Sequence, residues 1–177
     1  MAVDHVKSTV VTNLDASPSV ANTAGEGGPA NLHSVSGYAT AVASSSVDAT
    51  YQLVRVPSNC KIKAINFESA AQTAGTFDIG VYYATDGEGK RPTALLAAAA
   101  ISQAFFASAV VCSSAVVVTD VTNESGSYTI DKRVQPLWQA LALTADPGGF
   151  LDIVATVVTT AVTTGTGVLG IRVEYTS

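Results

Sequence analysis

Apolar and polar residues alternate most regularly between Leu53 and Tyr83, LVRVPSNCKIKAINFESAAQTAGTFDIGVYY. From Thr76 onward, Phe77, Ile79, Val81 and Tyr83 share one face, and Thr76, Asp78, Gly80 and Tyr82 share the other. This two-residue period predicts a half-buried strand. Upstream, Thr50 to Val56 predicts a strand stopped by Pro57, and Pro57-Ser58-Asn59 is a turn after which Cys60 to Phe67 is expected to pair back as a hairpin. The alternation slips within that second strand. Ile62 and Ala64 take one face while Ile65 and Phe67 take the other, which a β-bulge or burial on both faces would produce.

The same pattern continues outside this stretch. Tyr38 to Ser46 alternates weakly. Phe105-Phe106 with Val110-Val111, and then Val116 to Val118, favour two strands. Phe150 to Thr159 and Gly167 to Tyr175 close the chain, with Leu151, Ile153, Ala155 and Val157 opposing Asp152, Val154, Thr156 and Val158. Roughly seven to nine strands, with turns every eight to twelve residues, predict an antiparallel β-sandwich or jelly roll.

One segment has helical spacing. Val134, Leu137, Trp138 and Leu141 stand at i, i+3, i+4 and i+7, so a short helix is expected over about 133–143. Asp131 is placed to cap it, Pro136 sits in its first turn, and Asp146-Pro147-Gly148-Gly149 ends it. Ala94 to Ala100 is also permissive of a helix. Residues 1–36 hold Pro18, Pro29, Gly25, Gly27 and Gly28 and sustain no period beyond STVVTNL at 8–14. They are expected to form an extended N-terminal arm, with residues 37–177 forming the sandwich domain.

Composition sharpens the picture. The 177 residues are 47% apolar but only 13% charged, against about 25% charged in an ordinary soluble domain. A surface so poor in charge suits a protein packed against others. The net charge of −5 argues against a nucleic-acid partner, because the nearest basic groups, Lys61 with Lys63 and Lys132 with Arg133, form no stripe. Pro92 to Thr119 carries no charge and is long enough to cross a membrane, yet serines, Gln103 and a bulk of alanine break it up, so no membrane span is expected. The opening MAVDHVKSTVV lacks the apolar core of a secretory signal, which places synthesis in a cytoplasm and makes Asn123-Glu124-Ser125 a chance sequon.

Candidate chemistry is sparse. Gly87-Glu88-Gly89-Lys90 lacks the first glycine of a phosphate-binding loop, which would fall at Ala84. No GxSxG elbow occurs, and His5 and His33 both fall in the expected arm. Asp78 and Asp152 are a conceivable glycosidase pair, but acids alternating out of an apolar strand are ordinarily exposed or hydrogen-bonded. Trp138 reads as packing rather than a sugar platform. Cys60 and Cys112, without CxxC spacing, read as buried free thiols. No catalytic, cofactor-binding or metal-binding residues are expected, no cofactor is implied, and the chain is not expected to be an enzyme.

The segments Val56-Pro57-Ser58-Asn59, Thr76-Phe77-Asp78-Ile79-Gly80-Val81-Tyr82, Asp120-Val121-Thr122-Asn123-Glu124, Pro136-Leu137-Trp138-Gln139-Ala140-Leu141 and Ala145 through Ile153 resemble small tailed-bacteriophage virion proteins of the head decoration (cement) or minor capsid type. The resemblance spans residues 50–175 and rests on turn and core residues. It implies a structural protein on the capsid surface of a virion, made in the host cytoplasm, that clamps neighbouring capsomers. Its partners would be the major capsid protein and further copies of itself, as a trimer, with no nucleic acid and no membrane. The alternatives are a tail or neck component, or a glycan-binding surface sandwich with exposed aromatics near Tyr82, Tyr83 and the Asp86 to Arg91 loop.

Overall fold

A computed structural model of the protein describes residues 18, 30–42, 45–72, 74–83, 103–159, 162 and 167–177. The expected strand at 8–14, His5, the 94–100 segment and the 86–91 loop lie outside these residues. The eight described strands are β1 (Leu32–Thr40), β2 (Thr50–Pro57), β3 (Lys61–Ser69), β4 (Thr76–Tyr83), β5 (Ala107–Val111), β6 (Val116–Asp120), β7 (Phe150–Val158) and β8 (Val168–Thr176).

The pairs β1·β8, β2·β7, β3·β6 and β4·β5 are successive rungs of one long antiparallel ribbon. The ribbon is wound on itself and sealed by β3·β8 and β4·β7. The result is an antiparallel β-sandwich of two four-stranded sheets, ordered β1-β8-β3-β6 and β2-β7-β4-β5. Between the sheets lies a single core that includes Val56, Ile62, Phe67, Phe77, Ile79, Leu151, Ile153, Leu169 and Val173, all fully buried.

The expected hairpin between β2 and β3 does not form. Pro57 to Cys60 turns the chain, but β2 pairs with β7 and β3 with β8 and β6, so the turn carries the chain from one sheet to the other. A local reversal signal specifies a change of direction and leaves the partner strand open. The slipped alternation in β3 is a bulge. The register against β8 shifts between Ile62 and Ala64, and this brings Ile62, Ile65 and Phe67 to the core together.

β4 differs from its half-buried expectation, being buried on both faces from Thr76 to Tyr82. Its neighbour β7 is likewise buried from Leu151 to Val157. The polar residues tolerate this because they are paired: the Tyr82 hydroxyl lies 2.8 Å from Thr156 Oγ1, and burial of a satisfied polar group carries little penalty.

The first strand begins at Leu32, inside the expected arm, rather than at Tyr38. Gly37 fixes where it packs, because a Cβ there would lie 1.9 Å from the Leu53 carbonyl oxygen of β2 in the facing sheet. The expected helix over 133–143 is shorter and divided. A 3₁₀ turn spans Ile130–Val134, and a single α turn, α1, spans Leu137–Ala140. Pro136 separates them, lacking the N–H that a continuous ladder needs. Asp131 does not act as the cap. Instead the Leu137 and Trp138 amides donate to Cys60 O and Ser58 O, which docks α1 onto the β2–β3 turn. Beside it, Phe105, Phe106 and Tyr128 pack with ring centroids 5.1–5.4 Å apart, and the Tyr128 hydroxyl donates to Ile62 O.

Candidate functional site

The residues carrying possible chemistry are occupied by the fold. Asp152 on β7 accepts from Arg55 on β2 through two contacts, Nε to Oδ1 at 2.6 Å and Nη2 to Oδ2 at 3.0 Å. That bidentate hydrogen bond raises the arginine above its ordinary value. Asp78 on β4 accepts from the Ala109 amide at 2.8 Å and the Gln103 side chain at 3.2 Å. In register, Asp78 lies opposite Thr156 and Asp152 opposite Tyr82. The two carboxylates are thus four residues apart along the ladder, about 13 Å at strand rise, and a glycosidase pair would need roughly 5–9.5 Å. The structure does not bring them together.

The remaining candidates are similarly placed. Cys60 and Cys112 are buried free thiols, and burial pushes the Cys60 thiol up from 9.0 to about 12. Lys63 and Lys132 donate to the Arg133 and Ser127 carbonyls. His33 stacks on Tyr175 at 5.2 Å. Trp138 is half-buried beside buried Leu137 and Leu141. Tyr82, expected to be exposed for a glycan, is buried, and Tyr83 is only partly open. Among the described residues, no helix is long and apolar enough to cross a membrane.

What the fold leaves outside is the corner formed by β5 and β6, the edge strands of the two sheets. Both carry a bulge. Against β4, Val110 faces Phe77 and Ala107 faces Ile79, so Ser108 and Ala109 together oppose Asp78. The freed amides are taken by Asp78 and by Glu124, whose carboxylate accepts from Ser108 at 2.7 Å. Against β3, Thr119 faces Phe67 and Val116 faces Ser69, so Val117 and Val118 together oppose Glu68. A bulge of this kind re-aims side chains and discourages further strand pairing. Here it turns two successive valines to solvent, Val117 at 80% and Val118 at 57% exposure, with Val111 at 62% on the adjoining strand. No charged residue occurs from 107 to 119. The corner is therefore an apolar projection suited to contact through side chains.

No family model and no curated protein matches the chain. Among solved structures it is similar to a chain of the cyanophage Pam1 capsid asymmetric unit, at 14% identity over 92% of this chain and 96% of that one, with a TM-score of 0.42. A likeness that loose carries no argument about function.

In the sequence the charge-free run from Pro92 to Thr119 raises only the question of a membrane span. The signal for an exposed corner was the Val116 to Val118 triplet itself. Three β-branched residues in succession place at least one on the outer side of a strand whose sheet is covered on one face only.

Proposed function

We propose that the protein is a structural, non-enzymatic component of a phage virion that associates with itself and binds the outer surface of the capsid, stabilising contacts between capsomers. The observation that carries this reading is the β5–β6 corner, where adjacent valines project into solvent from a run, residues 107–119, that contains no charged residue. The bulges close these edges to strand addition, and β5 and β6 carry no lysine or proline, so a contact here is made by side chains. Burying two valines against a partner contributes about 3 kcal/mol before the cost of association. Repeated over a closed shell, so weak a contact becomes strong by multivalency.

Two further observations support the reading. The sequence resembles decoration and minor capsid proteins over residues 50–175. The ribbon winding, with β1-β8-β3-β6 over β2-β7-β4-β5, is that of a jelly roll, an architecture of viral capsid and lectin domains. Fold alone does not specify function, so the corner carries the weight.

The test is binding to particles. Purified protein mixed with phage heads lacking it is expected to co-sediment with the heads and to raise their resistance to heat. Binding to isolated tails instead would indicate the tail or neck, and binding to neither would overturn the proposal. The N-terminal segment is expected to contribute. A variant lacking residues 1–30, which leaves β1 whole, should fold with an unchanged unfolding midpoint yet bind heads at least tenfold more weakly. Unchanged binding would remove the segment from the contact.

A further inference from the structure

The solvent face of the β1-β8-β3-β6 sheet carries a groove whose rim reaches Val118 and Val116 of β6. Its floor is Gly170 on β8, which stands directly between Tyr38 on β1 and Glu68 on β3. The neighbouring row across the sheet is Ser36, Arg172 and Asn66. Lacking a side chain, Gly170 makes room for the Glu68 side chain, which lies over it, and the groove runs between Glu68 and the Tyr38 ring with Asn66 and Arg172 at one end. That end encloses about 510 Å³. A second depression of about 450 Å³ shares Tyr38, Glu68 and Gly170 and runs on toward Val168. The groove is thus elongated, with Tyr38 and Glu68 at its middle.

Its chemistry is specific. Tyr38 is 79% exposed, which leaves its ring accessible for stacking. The side chains of Tyr38, Asn66 and Glu68 make no hydrogen bond to any described residue, and Arg172 has only a 3.7 Å contact with Glu174. The fold therefore leaves a phenol, an amide, a carboxylate and a guanidinium with unspent hydrogen-bonding capacity around one open ring face. Planar polar groups converging beside an exposed aromatic match a pyranose, which offers paired hydroxyls at its rim and an apolar C–H face to the ring. Arg172 is flanked by Glu68 and Glu174, so the groove has no net positive charge and disfavours polyanions.

From this geometry we infer that the groove binds a neutral oligosaccharide across Tyr38 and Gly170. This site lies on the opposite sheet from Tyr82 and Tyr83.

The test titrates the full-length ¹⁵N-labelled protein with maltopentaose, cellopentaose and chitotetraose, and with a heparin oligosaccharide as the polyanionic control. Saturable shifts of the Tyr38, Gly170 and Arg172 amides are expected with at least one neutral sugar and not with heparin. Tyr38→Ala should weaken that binding roughly tenfold or more, as should Arg172→Ala, while the unfolding midpoint stays unchanged because both side chains are exposed. Absence of shifts with every neutral sugar, a response to heparin alone, or binding unaffected by both substitutions would overturn the inference. So would a loss of head binding by Tyr38→Ala without any sugar binding, because the groove would then be a protein contact. Head binding by the wild-type chain is read separately, so failure of this inference leaves the capsid proposal untouched.

Discussion

Gly37 sits where β1 passes so close to β2 that a single added carbon would lie 1.9 Å from the Leu53 carbonyl oxygen. The obstruction is backbone and cannot rotate away, so Gly37→Ala must push the two sheets apart at this edge. A loss of about 3 kcal/mol or more is expected, measurable as a lowered urea midpoint. A stability equal to wild type would show that the sheets do not meet there. Cys60 makes a different residue-scale prediction. Its thiol is held neutral by burial, with a folded value of about 12 against 9.0 when unfolded. The unfolded chain therefore releases this proton first as pH rises. The associated stability is fully present below about pH 9 and is lost between about 9 and 12, with a slope approaching 1.4 kcal/mol per pH unit. Burial raises Cys112 and Tyr128 in the same direction. Urea unfolding at pH 8 and pH 10 should show the fall, and Cys60→Ala should make it shallower. An unchanged slope in that variant would contradict the assignment.

At the scale of elements, the two bulged edge strands separate folding from contact. Val117 and Val118 project from β6 and touch little of the core. Val117→Lys with Val118→Lys should therefore change stability by less than about 1 kcal/mol while abolishing self-association and head binding, as read by sedimentation velocity and co-sedimentation. Retained binding would place the contact elsewhere. The sequence made these elements legible to different degrees. β2, β4, β7 and β8 were readable because alternation is strong in each, and the bulge in β3 was readable because Ile62, Ile65 and Phe67 break phase. Strand partners were not readable. The turn at Pro57 looks the same whether the chain returns to its own sheet or crosses to the other one. The helix was overextended because the spacing of Val134, Leu137, Trp138 and Leu141 fits a 3.6-residue period, although Pro136 interrupts the backbone ladder. The Val116 to Val118 triplet hints at exposure but not at its place, and the Tyr38 groove is invisible, because each depends on which side of a sheet a residue falls after winding.

For the whole molecule, a central strand pair buried on both faces, β4 and β7, sits beside an open sheet and a bulged corner that remain available to partners. The β2-β7-β4-β5 sheet uses Asp78, Asp152, Arg55 and Thr156 for internal pairing. The other sheet and the corner hold most of the unspent apolar and polar surface described above. The most direct test of binding to the capsid surface is a cryo-electron microscopy map of phage heads incubated with the protein. Density for the sandwich is expected on the outer capsid surface, bridging adjacent capsomers, with the Val117–Val118 corner at a protein contact. Density confined to the tail or neck, or a sandwich whose β5–β6 corner faces open solvent, would contradict it.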